Sequence, residues 1–382
     1  MAKPKQSVPL SDVTHDEVTR QSFVLGLKTH ISREVGPGNK KIYERRVLPE
    51  FRRRTNRDPK DRAELRHAME RDPYHQAWGS LMRTAQELMW DSVEDTVDRQ
   101  LPELMRKTKS RKSDLGTVRV DPELAIPSYI TAVDTHCMPG SYYSEVGEDD
   151  IRQGAVYDRG VSIYHLSSRG ALHDLIGRSI VALVNGTYPD LKPKRILDMG
   201  CSIGQVSATL AEFFPDAEVH GIDLGAPMVR YAHGRAEALG QAVHFSQQNA
   251  EHTDFEDGSF DLIISHIMLH ETSAKAAPNI LKESRRLLRK GGVMAHVEVP
   301  VRYKDLPIYD QVMRGWQTYY NAEPFWNAVC SMDLVASAKA AGFEGARDGY
   351  FKVSNDPIND TRSIIQTPNQ GQDHRYVLTA MK

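Results

Sequence analysis

The chain has 382 residues, more than a single domain usually holds, so we expect two domains. Its 49 basic and 51 acidic residues leave a formal net charge of −2, which gives no overall attraction to nucleic acid or to anionic membranes. The longest apolar stretches, such as residues 263–269, are far shorter than a membrane span, and the first residues lack the apolar core of a signal peptide. Three scattered cysteines favour a reducing compartment, so we predict a cytoplasmic protein without disulfides.

Residues 1–115 are rich in charge and poor in glycine turns, and we predict a helical accessory region there, acting as a lid or a dimerisation arm. Apolar residues recur at helical spacing over residues 74–104, which predicts one long amphipathic helix starting at Asp72-Pro73. Further helices are predicted near residues 14–35 and 41–54.

Residues 40–71 carry a local excess of positive charge, with twelve basic and six acidic side chains. Such a run is either a nucleic-acid footprint or a solvated helix face laced with ion pairs. Because no RNA-binding signature accompanies it, we favour the solvated face. The short basic segment 106–113 is predicted to be a linker.

Residues 116–190 are predicted to be a bridging segment with helices that cover a ligand. Residues 129–133 have a strand-like pattern. Helices are expected around residues 149–164 and 170–183.

An apolar strand, a turn of small residues and a helix follow one another over residues 194–210. Small residues in such a turn let the backbone approach a ligand closely. About twenty residues after Gly204, Asp223 ends a second apolar strand, where its carboxylate can accept hydrogen bonds from both hydroxyls of a ribose. The order predicts a nucleotide-binding corner in a doubly wound α/β fold.

The pattern Asp198-x-Gly200-x-Ser202-x-Gly204 resembles the first motif of class I S-adenosylmethionine-dependent methyltransferases. The later motifs of that family follow in order, at Gly221-Ile222-Asp223-Leu224 with Met228, at Asn249-Ala250-Glu251, and at residues 260–265 and 287–293. The resemblance implies that residues 191–382 form the methyltransferase core, a seven-stranded, mostly parallel sheet that follows the helical N-terminal region. It also implies an antiparallel hairpin of residues 349–354 and 374–381, and we expect the polar segment 355–373 between them to be a mobile loop.

The resemblance also assigns roles in binding S-adenosyl-L-methionine. Asp198 would lie near the cofactor's ammonium and Asp223 would bind its ribose. The other residues that the resemblance places around the cofactor are Gly200, Cys201, Ser202, Gly204, Leu224, Met228, Asn249, Ala250, His266 and Tyr157. Tyr157 would cover the cofactor, the alternative being packing between domains.

Two positions depart from the family pattern. Ser202 replaces a glycine and fits the turn if its φ is negative. Asn249 replaces an aspartate, and its amide can still accept a hydrogen bond from an adenine amino group.

Candidate acid–base residues follow the two central strands of the core. His266 and His270 come after residues 260–265, where doubly wound folds bind ligands, and a histidine is suited to deprotonate an acceptor near neutral pH. His270 is either a general base or a cap of the following helix. Glu298 lies near the carboxyl end of the next strand and could orient the substrate, whereas His296 on the same face is expected to be a buried polar residue.

Aromatic side chains are candidates for the wall of an acceptor pocket, since a planar or apolar acceptor would pack on them. The candidates are Tyr142, Tyr143, Trp316, Tyr319, Tyr320 and Trp326, and packing in the core is the alternative for each of the last four. His136 and Cys137 are adjacent and point apart, and no second cluster with ligand spacing exists, so we predict no metal site.

Three hypotheses remain open. The first is an enzyme that methylates a small molecule at oxygen, nitrogen or an activated carbon, with a homodimer formed through the N-terminal helices. The second is a methyltransferase acting on RNA or protein, with residues 40–71 as its footprint. The third is a scaffold that binds the cofactor without turnover.

Overall fold

The computed structural model describes residues 11–109, 115–164, 172–299, 302–353 and 374–382. The predicted mobile loop at residues 355–373 lies outside this range, as does half of the predicted linker, residues 110–113. The other half, residues 106–109, is helical rather than a linker, because the Leu101–Lys109 helix continues through it.

The N-terminal part of the chain is helical, as the sequence predicts. Its helices are α1 (His15–His30), α2 (Gly38–Ile42), α3 (Leu48–Thr55), α4 (Arg62–Met69), α5 (Pro73–Asp98) and α6 (Leu101–Lys109), with π-helical turns at Ile31–Val35 and Tyr43–Val47. A capping box at Thr14 and Glu17 begins α1.

The predicted long helix is two helices. It begins as expected, with Asp72 accepting a hydrogen bond from the Tyr74 amide and Pro73 in the first turn. It ends at Asp98, and α6 starts at Leu101. Pro102 explains the break, because a proline ring inside a helix clashes with the carbonyl four residues earlier, here that of Asp98.

The bridging segment differs from the prediction at its start. Residues 129–133 do not form a strand; α7 (Ser128–Thr131) occupies this stretch after Pro127, and only Ile130 of α7 is buried. The next helices are α8 (Arg152–Tyr164) and α9 (Leu175–Thr187). Helix α8 starts three residues later than predicted, because Asp149 has a φ of 60°, outside the right-handed helical region.

One eight-stranded sheet carries the rest of the fold, one strand more than predicted. Its strands are β1 (Thr117–Arg119), β2 (Arg195–Met199), β3 (Glu218–Asp223), β4 (His244–Gln247), β5 (Phe260–His266), β6 (Leu288–Glu298), β7 (Arg347–Lys352) and β8 (His374–Met381). Their order is β1-β4-β3-β2-β5-β6-β8-β7, and only β8 runs antiparallel to its neighbours, so the predicted C-terminal hairpin is confirmed. The additional strand, β1, extends the sheet beside β4.

Helices cover both faces of this sheet. Helices α9, α10 (Gln205–Phe213) and α11 (Ala226–Ala238) pack on one face, and α12 (Ala276–Leu287) and α16 (Leu334–Ala340) pack on the other. Between β6 and β7 the chain also forms α13 (Ile308–Arg314), α14 (Trp316–Tyr320) and α15 (Trp326–Cys330). Strand β2 is buried on both sides, with Ile196 in one apolar core and Leu197 in the other. Strands that are buried on both faces have nearly continuous apolar sequences, which is why the sequence predicted β2.

The strand order reverses at β2, whose neighbours are β3 and β5. Ligands of doubly wound sheets bind beyond the carboxyl ends of the strands at such a point. Among the described residues, no helix is both long and apolar enough to cross a membrane.

Candidate active site

A cavity opens beyond the carboxyl ends of β2, β3 and β5 and encloses about 1050 Å³, including its open mouth. Its wall combines the turn after β2, the ends of β3 and β5, and residues of the bridging segment. A cavity at this point of the sheet is where the topology predicts a ligand.

The turn after β2 brings backbone to the cavity. Gly200 and Gly204 both have a φ of 71°, in the left-handed region that favours glycine. A Cβ on Gly200 would lie 2.4 Å from the Met268 side chain, so the position has no room for one.

Ser202 does not have the negative φ that we expected; its φ is 52°. The left-handed conformation is held by a hydrogen bond of 2.9 Å from the Ser202 amide to Asp223 Oδ2. The Ser202 hydroxyl is buried and has no hydrogen-bond partner among the described residues, as is also true of Gln205 Oε1. Both residues line the cavity, so it holds buried polar atoms that a ligand could satisfy.

Asp223 ends β3 at the cavity wall. Its Oδ2 accepts from the Ser202 amide and its Oδ1 accepts from the Gly225 amide at 3.0 Å. Each carboxylate oxygen can accept a second hydrogen bond, so the group can still bind two hydroxyls.

Asp198 lies at the base of the same cavity and is buried. Its Oδ2 accepts a hydrogen bond of 2.6 Å from the Ser207 hydroxyl. Burial, helped by the nearby Asp223 carboxylate, raises the pKa of Asp198 to about 7. A cation bound beside it would stabilise the ionised form.

The structure brings all the remaining predicted cofactor residues except Gly204 to the cavity wall. They are Gly200, Cys201, Leu224, Met228, Asn249, Ala250, His266 and Tyr157. Gly204 lies one turn behind the wall, where a Cβ would meet the Phe245 ring at 2.8 Å.

Only two of the predicted acceptor aromatics line the cavity, Tyr142 and Tyr143. Trp316, Tyr319 and Tyr320 pack against the N-terminal helices instead. Trp316 makes an edge contact with Trp78, Arg66 lies over the Tyr319 ring, and Tyr320 lies close to Gly79. Trp326 packs edge-on against His270, outside the cavity. Of the four, only Trp326 is buried, as core packing requires; Trp316 and Tyr320 are half-buried and Tyr319 is exposed. Periodicity could not separate these environments from a pocket wall.

His270 and Glu298 pair with each other behind the cavity rather than facing it. His270 Nδ1 lies 2.5 Å from Glu298 Oε2, and Glu298 Oε1 accepts from the Leu269 amide at 2.7 Å. Burial disfavours a charge on His270, but Glu298 and Glu271 overcome it and raise its pKa well above the ordinary value. A histidine held in its protonated form is not available to accept a proton, so His266 is the predicted base candidate that reaches the cavity.

His296 is buried between two serine hydroxyls. Ser265 Oγ lies 2.8 Å from its Nδ1, and Ser284 Oγ lies 3.2 Å from its Nε2. Burial lowers the pKa of His296 to about 4. It is therefore neutral and structural, as expected.

Sequence reasoning missed a cluster of His136, Glu271 and Glu323. His136 Nε2 lies 3.1 Å from Glu271 Oε1 and 3.2 Å from Glu323 Oε1. His136 and Glu271 line the cavity, whereas Glu323 is buried behind them. His136 and Cys137 do point apart as predicted, but the partners of His136 come from two distant segments, which no local spacing reveals.

The charged groups of this cluster strongly shift one another's pKa values. Burial lowers the pKa of His136, but Tyr142, Glu271 and Glu323 together raise it well above its ordinary value. Burial acts against ionisation of Glu271, yet His136 and His270 hold its pKa far below the ordinary range.

Several basic side chains of segment 40–71 form ion pairs. Arg57 pairs with Glu64 at 2.7 Å, Arg46 with Asp72 at 2.8 Å, and Lys40 with Glu44 at 3.7 Å. Ion pairs of this kind support the interpretation as a solvated helix face.

Comparison with known sequences gives the same answer as the motifs. A profile of the family described as "Methyltransferase domain" matches residues 196–292. The demethylmenaquinone methyltransferase of Thermus thermophilus is 36% identical over 108 residues, which are 28% of this chain and 48% of that protein. The fatty-acid O-methyltransferase of Mycolicibacterium smegmatis is 28% identical over 145 residues, which are 37% of this chain and 50% of that protein. The chain thus spans about half the length of these curated relatives.

Among solved structures, phosphoethanolamine N-methyltransferase 2 of Haemonchus contortus, bound to S-adenosyl-L-methionine, aligns with a TM-score of 0.39 and 16% identity. The alignment covers 56% of this chain and 58% of that one.

Proposed function

Because the chain carries a class I S-adenosylmethionine-dependent methyltransferase domain, we propose that it transfers the methyl group of S-adenosylmethionine to a small-molecule acceptor at oxygen, nitrogen or an activated carbon. The observation that carries this proposal is a single cavity that joins two sets of residues. One set belongs to the cofactor motifs. The other set, which includes His136, Tyr142 and Tyr143, lies outside those motifs and can contact a methyl acceptor.

The cavity residues fit the cofactor. Gly200 lets backbone approach it, Asp223 offers acceptors for two ribose hydroxyls, and Asp198 offers a carboxylate for an ammonium. The buried oxygens of Ser202 and Gln205 supply further polar contacts. Asn249 holds its turn by accepting from the Glu251 amide at 2.9 Å, and Ala250 beside it leaves room for a flat ring.

The chemistry that the cofactor supplies is an electrophilic methyl group. The protein's task is to align the acceptor and exclude water, which by itself removes a large part of the barrier. Tyr142 and Tyr157 meet edge to face, with ring centroids 5.8 Å apart, and narrow the cavity. His266 lies at the end of β5 in the same wall and is our candidate to receive a proton from the acceptor.

Two alternatives from the sequence remain hypotheses. An RNA or protein substrate is disfavoured by the ion pairs of segment 40–71 and would be supported by salt-dependent RNA binding that neutralising Arg52, Arg53 and Arg54 abolishes. A non-catalytic scaffold would bind the cofactor but methylate nothing in a pool of small molecules.

The accessory role of residues 1–115 and a homodimer through their helices also stay predictions. Exposed apolar side chains at Val18 and Phe23 on α1, and at Leu81 and Leu88 on α5, are compatible with a second copy. Sedimentation of the full chain measures this directly.

The first test is calorimetric binding of S-adenosylhomocysteine to the wild type and to Gly200→Ala. The substitution places a Cβ against Met268, so we expect affinity to fall by about tenfold or more, because small displacements in such sites have large effects. Gly240→Ala is the matched control, since Gly240 has a similar φ of 73° with nothing within 4 Å of its Cβ position, away from the cavity.

Labelled methyl transfer to a small-molecule extract follows. Transfer by the wild type and not by Gly200→Ala supports an enzyme. Binding without any transfer would favour the scaffold, and equal binding by Gly200→Ala and Gly240→Ala would contradict the site.

A further inference from the structure

The cluster of His136, Glu271 and Glu323 presents one imidazole nitrogen and two carboxylates at the wall of the cavity. The three ligand atoms lie within 4.8 Å of one another, and they come from the loop before α8, the turn after β5 and the loop before α15. Imidazole and carboxylate are the ligands that catalytic zinc sites use, commonly three from the protein with one position left open.

From this geometry we propose that His136, Glu271 and Glu323 bind a divalent cation of the zinc type, with an open position facing the cavity. Two of the three distances between ligand atoms are close to those around such an ion, and the third lies within 4.8 Å. Atoms around a tetrahedral zinc at about 2.0–2.1 Å are separated by about 3.3–3.4 Å. His136 Nε2 lies 3.1 Å and 3.2 Å from the two carboxylate oxygens.

Hydrogen bonding alone leaves this cluster incompletely satisfied. The single Nε2 of His136 faces both carboxylates, but one N–H can point at only one of them. Glu323 is 1% exposed, and within the described part of the chain its Oε2 accepts no hydrogen bond. Its nearest cation is His270, with Nε2 at 3.7 Å. A cation between the three side chains would satisfy both carboxylates together.

Residues around the cluster supply the outer contacts that metal ligands usually have. His136 Nδ1 hydrogen-bonds the Tyr142 hydroxyl, which leaves Nε2 to face the carboxylates. Asn321 Nδ2 donates to Glu323 Oε1 at 2.6 Å, and His270 Nε2 lies 3.5 Å from Glu271 Oε1.

The charge of the cluster also favours a divalent ion. Three carboxylates, those of buried Glu298 and Glu323 and of half-buried Glu271, lie around the imidazole of His270. The carboxylates outnumber the imidazoles of His136 and His270 that face them, and a divalent cation would offset this excess of negative charge.

The bound ion would also act on the methyl acceptor. This role of the ion rests on the proposed function, whereas the metal site itself does not. A hydroxyl of the acceptor bound at the open position would lose its proton to His266 more easily, because a bound divalent cation would stabilise the alkoxide or phenolate. The acceptor class is then a molecule that coordinates through this oxygen and receives the methyl group on it, leaving S-adenosylhomocysteine as the second product.

The test uses untagged full-length protein dialysed against a chelator and titrated with Zn²⁺ by calorimetry and with Co²⁺ by visible absorption. We expect one ion per chain and the strong absorption of a four- or five-coordinate Co²⁺. We expect Glu323→Gln and His136→Gln each to weaken binding by at least about tenfold, which is the smallest loss seen even for outer-contact residues. Glu87→Gln, an exposed carboxylate paired with Arg83 on α5, is the control and should bind as the wild type does.

Absence of binding, or binding that His136→Gln and Glu323→Gln leave unchanged, overturns the proposal. If circular dichroism shows that Glu323→Gln does not fold, Glu271→Gln at the cavity wall replaces it. Binding of S-adenosylhomocysteine is measured on the same metal-free samples before the metal titration, which separates the two proposals. If the wild type does not bind S-adenosylhomocysteine but gives the expected Co²⁺ spectrum, the proposed function alone is contradicted.

Discussion

Three aspartates and glutamates of the cavity behave differently because their surroundings differ. Asp223 is held by two backbone amides, Glu271 by two histidines, and Asp198 by one serine hydroxyl. Burial raises the pKa of both aspartates, and the nearby Asp223 carboxylate helps to bring that of Asp198 to about 7. Asp198 is therefore a carboxylate whose ionisation responds near neutral pH.

We predict that the affinity for S-adenosylhomocysteine rises by up to about tenfold between pH 5.5 and 7. The ionised Asp198 attracts the ligand's ammonium, and raising the pH through about 7 populates that ionised form while the ammonium of the ligand's amino-acid part stays protonated. Calorimetry across this range measures the effect. Asp198→Asn should bind weakly with a flat profile, and a flat profile in the wild type would contradict the assignment.

At the scale of elements, a helix boundary with a local sequence signal was predictable, whereas a boundary without one was not. Asp72-Pro73 marks the start of α5, and a side-chain acceptor followed by proline is a local signal. The end of α5 depends on Pro102, four residues beyond Asp98, and the apolar spacing continues through it. Likewise α7 replaces a predicted strand because four residues give too short a pattern to separate the two periods.

We predict that Asp72→Ala lowers the free energy of unfolding by about 1–2 kcal/mol. Asp72 Oδ1 accepts from the Tyr74 amide at 2.9 Å and from Arg46 at 2.8 Å, and both hydrogen bonds are lost. Urea denaturation followed by circular dichroism measures the change. Asp91→Ala, on an exposed position of the same helix, should change stability by less than about 0.5 kcal/mol, and an equal loss in both variants would show that the cap contributes nothing.

At the scale of the molecule, the sequence predicted the sheet and the cofactor half of the cavity but not the acceptor half. The cofactor residues follow strands at fixed spacing, so each motif places its own side chains. The opposite wall joins His136, Glu271 and the tyrosines of the loop after α7, which only the tertiary fold brings together. For the same reason, His270 and Trp326, which we predicted to contact the acceptor, pack against each other behind the cavity wall.

We predict that S-adenosylhomocysteine at about 100 times its dissociation constant stabilises the whole chain by about 2.7 kcal/mol. The cavity wall includes residues of the bridging segment and of the sheet, so the ligand should raise one cooperative melting transition by several degrees. Calorimetry of unfolding checks this. Gly200→Ala, with an affinity about tenfold lower, should gain at most about 1.4 kcal/mol at the same ligand concentration. A shift confined to one of two separate transitions would contradict a shared site.

Strand β1 has a consequence for how the protein is made. It pairs with β4, so Thr117 must wait for His244 to leave the ribosome. At about 5–20 residues per second, synthesis of the intervening chain takes roughly 6–25 s. The sheet is completed later still, because β8 inserts between β6 and β7. Nascent chains therefore hold unpaired strand edges for many seconds, so ample chaperone that covers these edges should raise the yield of folded protein.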